Sequence, residues 1–217
     1  MAKELTRGIF ITFEGPEGCG KSTHSRRLFQ ELVSDGYEAV LTAEPGGTAL
    51  GQRIREILLE KGDVHFTGRA ELFLFEADRA QHVAEVIVPS LEERRLVICD
   101  RFNTATFAYQ GYGLGMDIGQ VEAVDAVATE GISPDLTILL DVDVGTGLQR
   151  AGLERPLDRM ELRSREFHEK VRRGYIALAK NAPGKIHVLA SSGDMDTVYG
   201  LVKEKVYGFI ERYTGAG

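Results

Sequence analysis

The segment Gly15-Pro16-Glu17-Gly18-Cys19-Gly20-Lys21-Ser22-Thr23 constrains this chain more than any other. It reads glycine, four variable residues, then Gly-Lys-Ser, and it sits between an apolar run, Ile9 to Glu14, and a run of helical period. Its glycines let successive backbone N–H groups turn inward, and the helix that follows opens with unpaired donors and a positive dipole. Such a bend cradles phosphate oxygens, with Lys21 reaching the β- and γ-phosphates of a nucleoside triphosphate. The hydroxyl of Ser22 is placed to hold the Mg2+ that bridges those phosphates, and Asp100, at the end of another apolar run, supplies the carboxylate partner. Cys19 reads as a small residue filling the loop in preference to a redox switch.

A loop of this kind requires a strand before it and a helix after it, and the rest of the chain follows suit. Ile9–Glu14, 39–42, Leu96–Asp100, Leu136–Asp141 and 186–189 read as strands. Helices are expected to start at Lys21, Ala49, Arg69, Ile118, Val144, Arg163 and Met195. Strand and helix in alternation imply an α/β chain with a three-layer P-loop NTPase fold, a five-stranded parallel sheet flanked by helices. Pro89 falls within the periodic segment from Arg69 to Arg94, which is expected to be one bent element. One domain spanning residues 1–217 is expected, with a mobile lid at about 150–163, where charge crowds and no apolar stripe survives.

The charge balance narrows the ligand. There are 26 basic and 33 acidic residues, a formal net charge of -7, so neither nucleic acid nor an anionic membrane is an expected partner. A small anionic ligand then needs locally gathered cations. Transfer of a phosphoryl group calls for guanidinium groups besides Lys21, and the loop has none at its four variable positions. The lid segment does, in Arg150, Arg155, Arg159, Arg163 and Arg165. Arg155 and Arg159 are therefore expected to meet the transferring phosphates on closure. Arg101, next to a strand end, and Arg79, on the long third helix, are read as clamps for the phosphate of an acceptor. The bland alternative for Arg79 is an ion pair with Glu76 or Asp78. An acceptor that is itself a monophosphate brings its own oxyanion, its second pKa being about 6, whereas a hydroxyl acceptor would call on a base such as Glu14.

Two cysteines, Cys19 and Cys99, stand in apolar or glycine-rich surroundings typical of a reduced intracellular protein, and no apolar stretch has the length of a signal peptide or a membrane span. A cytoplasmic location is expected.

Five segments in order carry a resemblance: Phe13-Glu14-Gly15, Glu44-Pro45-Gly46-Gly47-Thr48, Asp100-Arg101, Ala108-Tyr109-Gln110-Gly111 and Leu157-Asp158-Arg159. With them the chain resembles thymidylate kinases, from about Gly8 to Tyr213, and in particular the bacterial type whose arginines lie in the lid. The resemblance implies a kinase that passes the γ-phosphoryl group of ATP to dTMP, with Mg2+, as a homodimer. It implies that Phe75 stacks on the thymine ring, that Arg79 contacts base or phosphate, that Arg101 holds the acceptor phosphate and that Glu14 lies near sugar or phosphate. Thr106 and Gln110 would border the base, and Glu44, Pro45, Arg55, Tyr109 and Asp158 would complete the acceptor pocket. Arg150 would pack on the adenine of ATP. Two positions depart from the pattern: Ala43, where relatives commonly carry arginine, a role Arg53 or Arg55 would have to fill, and Ala105, where some carry a hydroxyl. The competing expectations are a kinase for another monophosphate or for a deoxynucleoside, and a regulatory nucleotide switch, although no Asn-Lys-x-Asp motif is present.

Overall fold

Every residue of β1 (Ile9–Glu14) is buried, which is possible only for a strand covered on both faces and paired on both edges. In the computed structural model, which describes residues 3–61, 65–154 and 156–214, β1 lies between β3 (Leu96–Asp100) and β4 (Leu136–Asp141). With β2 (Ala39–Ala43) beyond β3 and β5 (Ile186–Ala190) beyond β4, the sheet runs β2-β3-β1-β4-β5, with all neighbours parallel. The register sets Phe13 and Ala43 opposite Asp100, so three strands finish together at the edge from which the phosphate loop departs. Open parallel sheets bind ligands at that edge, where the strand order reverses.

Alternation along the strands divides the core. Ile9, Ile11, Phe13, Leu96, Ile98, Leu136, Ile138 and Leu140 pack with Leu28 and Leu32 of α1 (Lys21–Ser34) and with Val198, Val202 and Val206 of α9 (Met195–Ile210). On the opposite face Phe10, Val97 and Cys99 meet Val83, Ile87 and Phe102. Leu139 meets Tyr175 and Val171 of α8 (Arg165–Asn181) on that same face. Three layers result, as the apolar spacing predicts. Among the described residues no helix is long and apolar enough to cross a membrane.

Between strands come α2 (Ala49–Leu59), α3 (Gly68–His82), α4 (Val88–Glu92), α5 (Asn103–Thr106), α6 (Ile118–Thr129) and α7 (Val144–Glu154). The segment expected as one bent element is a continuous helical run from Gly68 to Glu92. Its irregularity precedes Pro89: Val83–Ile87 is a wide π turn in which the Val88 N–H reaches back five residues to the Val83 carbonyl. A second π segment, Phe107–Gly113, continues α5 and packs against α8. This helical stretch was absent from the sequence expectations. The eighth helix starts at Arg165, two residues later than expected, because the Ser164 hydroxyl accepts the Phe167 N–H and caps it.

Candidate active site

α1 begins without a side-chain cap. Thr48, Thr67, Asp117, Ser164 and Asp194 each cap a helix with a side-chain oxygen, whereas the residue before α1 is Gly20, at φ 91°, which has no side chain to do so. The first N–H groups of α1 are thus left for an outside anion. The bend before it is tightly fitted: Gly18 has φ 62°, and a Cβ there would lie 1.9 Å from the Gly147 carbonyl oxygen of α7. The contact is mutual, since a Cβ on Gly147 would lie 2.2 Å from the carbonyl oxygen of Glu17. Lys21 lies over the loop, its Nζ donating to the carbonyls of Gly15 at 3.0 Å and Pro16 at 2.8 Å. Cys19 beneath it is fully buried, and burial pushes its thiol above the usual range, which fits a loop filler rather than a reactive thiol. The Ser22 hydroxyl donates to the Asp100 carboxylate, as the pairing of loop and strand end requires.

Two glutamates of the loop region are driven in opposite directions. Glu14 is fully buried and accepts from the N–H groups of Phe102 at 2.8 Å and Ala105 at 3.3 Å and from the Tyr175 hydroxyl at 3.0 Å. Burial raises its pKa to about 7 against the opposing pull of Arg101. Glu17 is also taken from water, but the charges of Arg101 and Lys21 and the Tyr109 hydroxyl overcome that and bring its pKa to about 2. Arg101 joins the group: its guanidinium donates to Glu17 at 2.8 Å, to the Tyr175 hydroxyl at 3.1 Å and to the Gly15 carbonyl at 3.2 Å.

One cavity of about 850 Å³ runs from this loop to the far wall. Around the loop it is lined by Glu17, Gly18, Cys19, Gly20, Lys21, Ser22, Thr23, Asp100 and Arg150. At the far end it is lined by Glu44, Pro45, Arg55, Phe75, Arg79, Arg101, Thr106, Tyr109, Gln110 and Asp158. Ala43 and Ala105 also line it. The sequence-derived set is therefore largely brought together. Gly15, Pro16 and Glu14 are not on the wall. Glu14 supports the start of α5 from within, through the N–H groups of Phe102 and Ala105. Arg155 lies outside the described residues.

Arg79, 2% exposed, is held by carboxylates on several sides: Glu44 at 2.9 Å, Glu76 at 2.5 Å and Asp125 at 3.2 Å, with Thr106 at 3.0 Å. Asp78, the other partner considered from the sequence, instead accepts the Gly46 N–H at 2.9 Å. The guanidinium borders the cavity from a fixed position, while Arg55 is tied to the Pro45 carbonyl at 2.8 Å. Arg150 donates to the Ser191 carbonyl at 3.0 Å, and the Ser191 hydroxyl donates to the Cys19 carbonyl at 2.7 Å, so that arginine is braced against the loop.

Arg159 stands apart from the cavity wall. Its Nε donates to the Leu58 carbonyl at 2.7 Å, its Nη2 to Glu71 at 2.9 Å, and its guanidinium lies 4.5 Å from the centre of the Phe66 ring. These contacts hold it beside α2 and α3. Sequence reasoning also passed over Tyr175, Gly147, Ser191 and Glu71. For Glu71 a signal existed, because it precedes Phe75 and Arg79 by one and two helical turns on the same face.

The thymidylate kinase family profile matches residues 13–199. The thymidylate kinase of Desulfovibrio desulfuricans is 46% identical over 212 residues, covering 94% of this chain and 97% of that protein. That of Geotalea daltonii is 45% identical over 208 residues, covering 93% and 97%. Among solved structures, thymidylate kinase from Ehrlichia chaffeensis matches with a TM-score of 0.75 at 34% identity, covering 93% of this chain and 99% of that one.

Proposed function

Because the chain belongs to the thymidylate kinase family and is thus a nucleoside monophosphate kinase, we propose that its cavity carries both nucleotides end to end, ATP at the loop and dTMP at the far wall. The bond between the γ-phosphorus and the β-γ bridging oxygen breaks, a bond to an oxygen of the dTMP phosphate forms, and ADP and dTDP leave. The observation that carries this reading is the single cavity: the phosphate loop and the Phe75, Arg101 and Gln110 group line one continuous space, as in-line transfer requires.

In this reading the loop amides and Lys21 hold the β- and γ-phosphates, and Arg150, braced by Ser191, covers the adenine. Phe75 stacks on thymine, Thr106 and Gln110 border it, and Arg101 orients the acceptor phosphate. No general base is needed, since the acceptor oxygen is already ionised near neutral pH. Glu17, held charged by Arg101 and Lys21, fixes the position of Arg101 between the two nucleotides. The lid arginines Arg155 and Arg159 add positive charge as the lid closes.

The donor set suits Mg2+. That ion keeps most of its waters and takes one or two protein ligands together with phosphate oxygens, which matches a hydroxyl and a carboxylate in contact, Ser22 and Asp100. When bound there, it neutralises charge on the phosphate tail. A homodimer in the cytoplasm completes the proposal.

The test is turnover with ATP and Mg2+ across a panel of monophosphates and deoxynucleosides. dTMP is expected to give the highest kcat/KM, and activity confined to another acceptor overturns the assignment. A wider acceptor range is the second reading, favoured by the small side chains of Ala43 and Ala105 on the cavity wall.

A further inference from the structure

Glu71 occupies an unusual position for a carboxylate. It lies in the first turn of α3, is 1% exposed, and both of its oxygens are engaged by groups from distant parts of the chain. Oε2 accepts from Arg159 Nη2 at 2.9 Å and from Arg163 Nη2 at 2.6 Å, so two lid guanidinium groups share one oxygen. Oε1 accepts from Gln110 Nε2 at 3.0 Å. Gln110, itself 1% exposed, lines the cavity at its far end.

We propose that Glu71 is a positioning residue that couples readout of the acceptor base to placement of the lid. An ionised carboxylate only accepts hydrogen bonds, so it receives the NH2 side of the Gln110 amide and thereby decides which way round that amide sits. The same charge holds Arg159 and Arg163 against the wall formed by α2 and α3. A ligand that draws on Gln110 changes what Gln110 gives to Glu71, and Glu71 redistributes its acceptance between the amide and the two guanidinium groups. Because the group is buried, its hydrogen bonds are not exchanged cheaply with water, and the three partners respond together. Positions 71, 110 and 159–163 thus form one unit spanning acceptor pocket and lid.

Binding linkage is reciprocal, so the coupling is read from binding alone. The inference rests on the kinase reading above. The affinity of the full chain for a non-hydrolysable ATP analogue with Mg2+ is measured by calorimetry with and without saturating dTMP, for the unsubstituted protein, Glu71→Gln and Arg163→Met. Folding of each variant is checked by circular dichroism, and two variants on opposite sides of the contact guard against one failing to fold. The unsubstituted protein is expected to bind the analogue several-fold more tightly with dTMP present. In the folded variants that ratio is expected to fall threefold or more, while affinity for the analogue alone changes less than twofold. A smaller fall in a folded variant, an equal weakening of both affinities, or no coupling in the unsubstituted protein overturns the role of Glu71. Failure of the unsubstituted protein to bind either nucleotide overturns the kinase reading, and with it this inference.

Discussion

Arg101 Nη2 donates to Glu17 Oε2 at 2.8 Å, which ties the end of β3 to the phosphate loop on the wall of the cavity. Both side chains are largely buried, and Tyr109 adds its hydroxyl to the other carboxylate oxygen. The pair fixes a guanidinium on the cavity wall beside the phosphate loop.

Glu17→Gln removes the charge that Arg101 is paired with while keeping the shape of the side chain. Leaving a buried guanidinium without its counter-charge is expected to lower stability by about 3 kcal/mol. Urea melts of the variant and the unsubstituted protein measure this. KM for dTMP is expected to rise more than KM for ATP, because Arg101 is proposed to hold the acceptor phosphate.

Asp100→Asn keeps a hydrogen-bonding partner for the Ser22 hydroxyl but loses the anion that orients it towards a cation. Loss of such a partner typically weakens metal binding by about 10- to 100-fold. The Mg2+ concentration giving half-maximal rate is expected to rise by about that factor, with circular dichroism unchanged.

Gly147→Ala tests the fit of α7 on the loop. The added Cβ meets the Glu17 carbonyl oxygen at 2.2 Å, and a backbone atom cannot swing aside as a side chain would. A stability loss of about 1–3 kcal/mol is expected. A rise in KM for ATP is expected to accompany it, since the helix or the loop must move. Thermal melts and ATP titrations check both.

Glu14→Gln is expected to alter the pH dependence of stability. The folded-state pKa of Glu14 is raised to about 7 from its ordinary 4.5, so between those values the folded chain binds more protons than the unfolded one. Stability attributable to this group is therefore present below pH 4.5 and is lost as pH rises towards 7. The full effect is on the order of 3 kcal/mol. Relative to Glu14→Gln, the unsubstituted protein is expected to weaken between pH 5 and 7, as read from urea midpoints. Glu17 acts in the opposite sense over a lower window: its pKa of about 2 gives stability that is lost as pH falls from 4.5 towards 2.

The strands were legible because each is an apolar run closed by turn residues, and the phosphate loop because few other sequences make that bend. The helical stretch from Asn103 to Gly113 was not. Its polar and aromatic residues, Thr106, Tyr109 and Gln110, point inward to the cavity, so the outward polar face that marks an amphipathic helix is missing. Arg79 was legible as important but not in its setting, because Glu44 and Asp125 reach it from 35 and 46 residues away. For the lid, a row of arginines reads as solvated or catalytic, whereas two of them find a buried partner in Glu71, separated by 88 and 92 residues. Pairings of that range arise from the packing of α2, α3 and the lid, which periodicity does not encode.

The wide turn at Val83–Ile87 governs rotational phase along the long helical rod. Each residue of an α-helix advances the side-chain direction by about 100°. Closing this turn to ordinary geometry with every residue retained would swing one half of the rod by that angle against the other. Either Arg79 and His82 would turn away from Glu44, or Ile87 would turn away from Phe10 and Val97. The surplus residue acts as a keyway: it lets one continuous helix face a charged chamber at its start and an oily wall at its end.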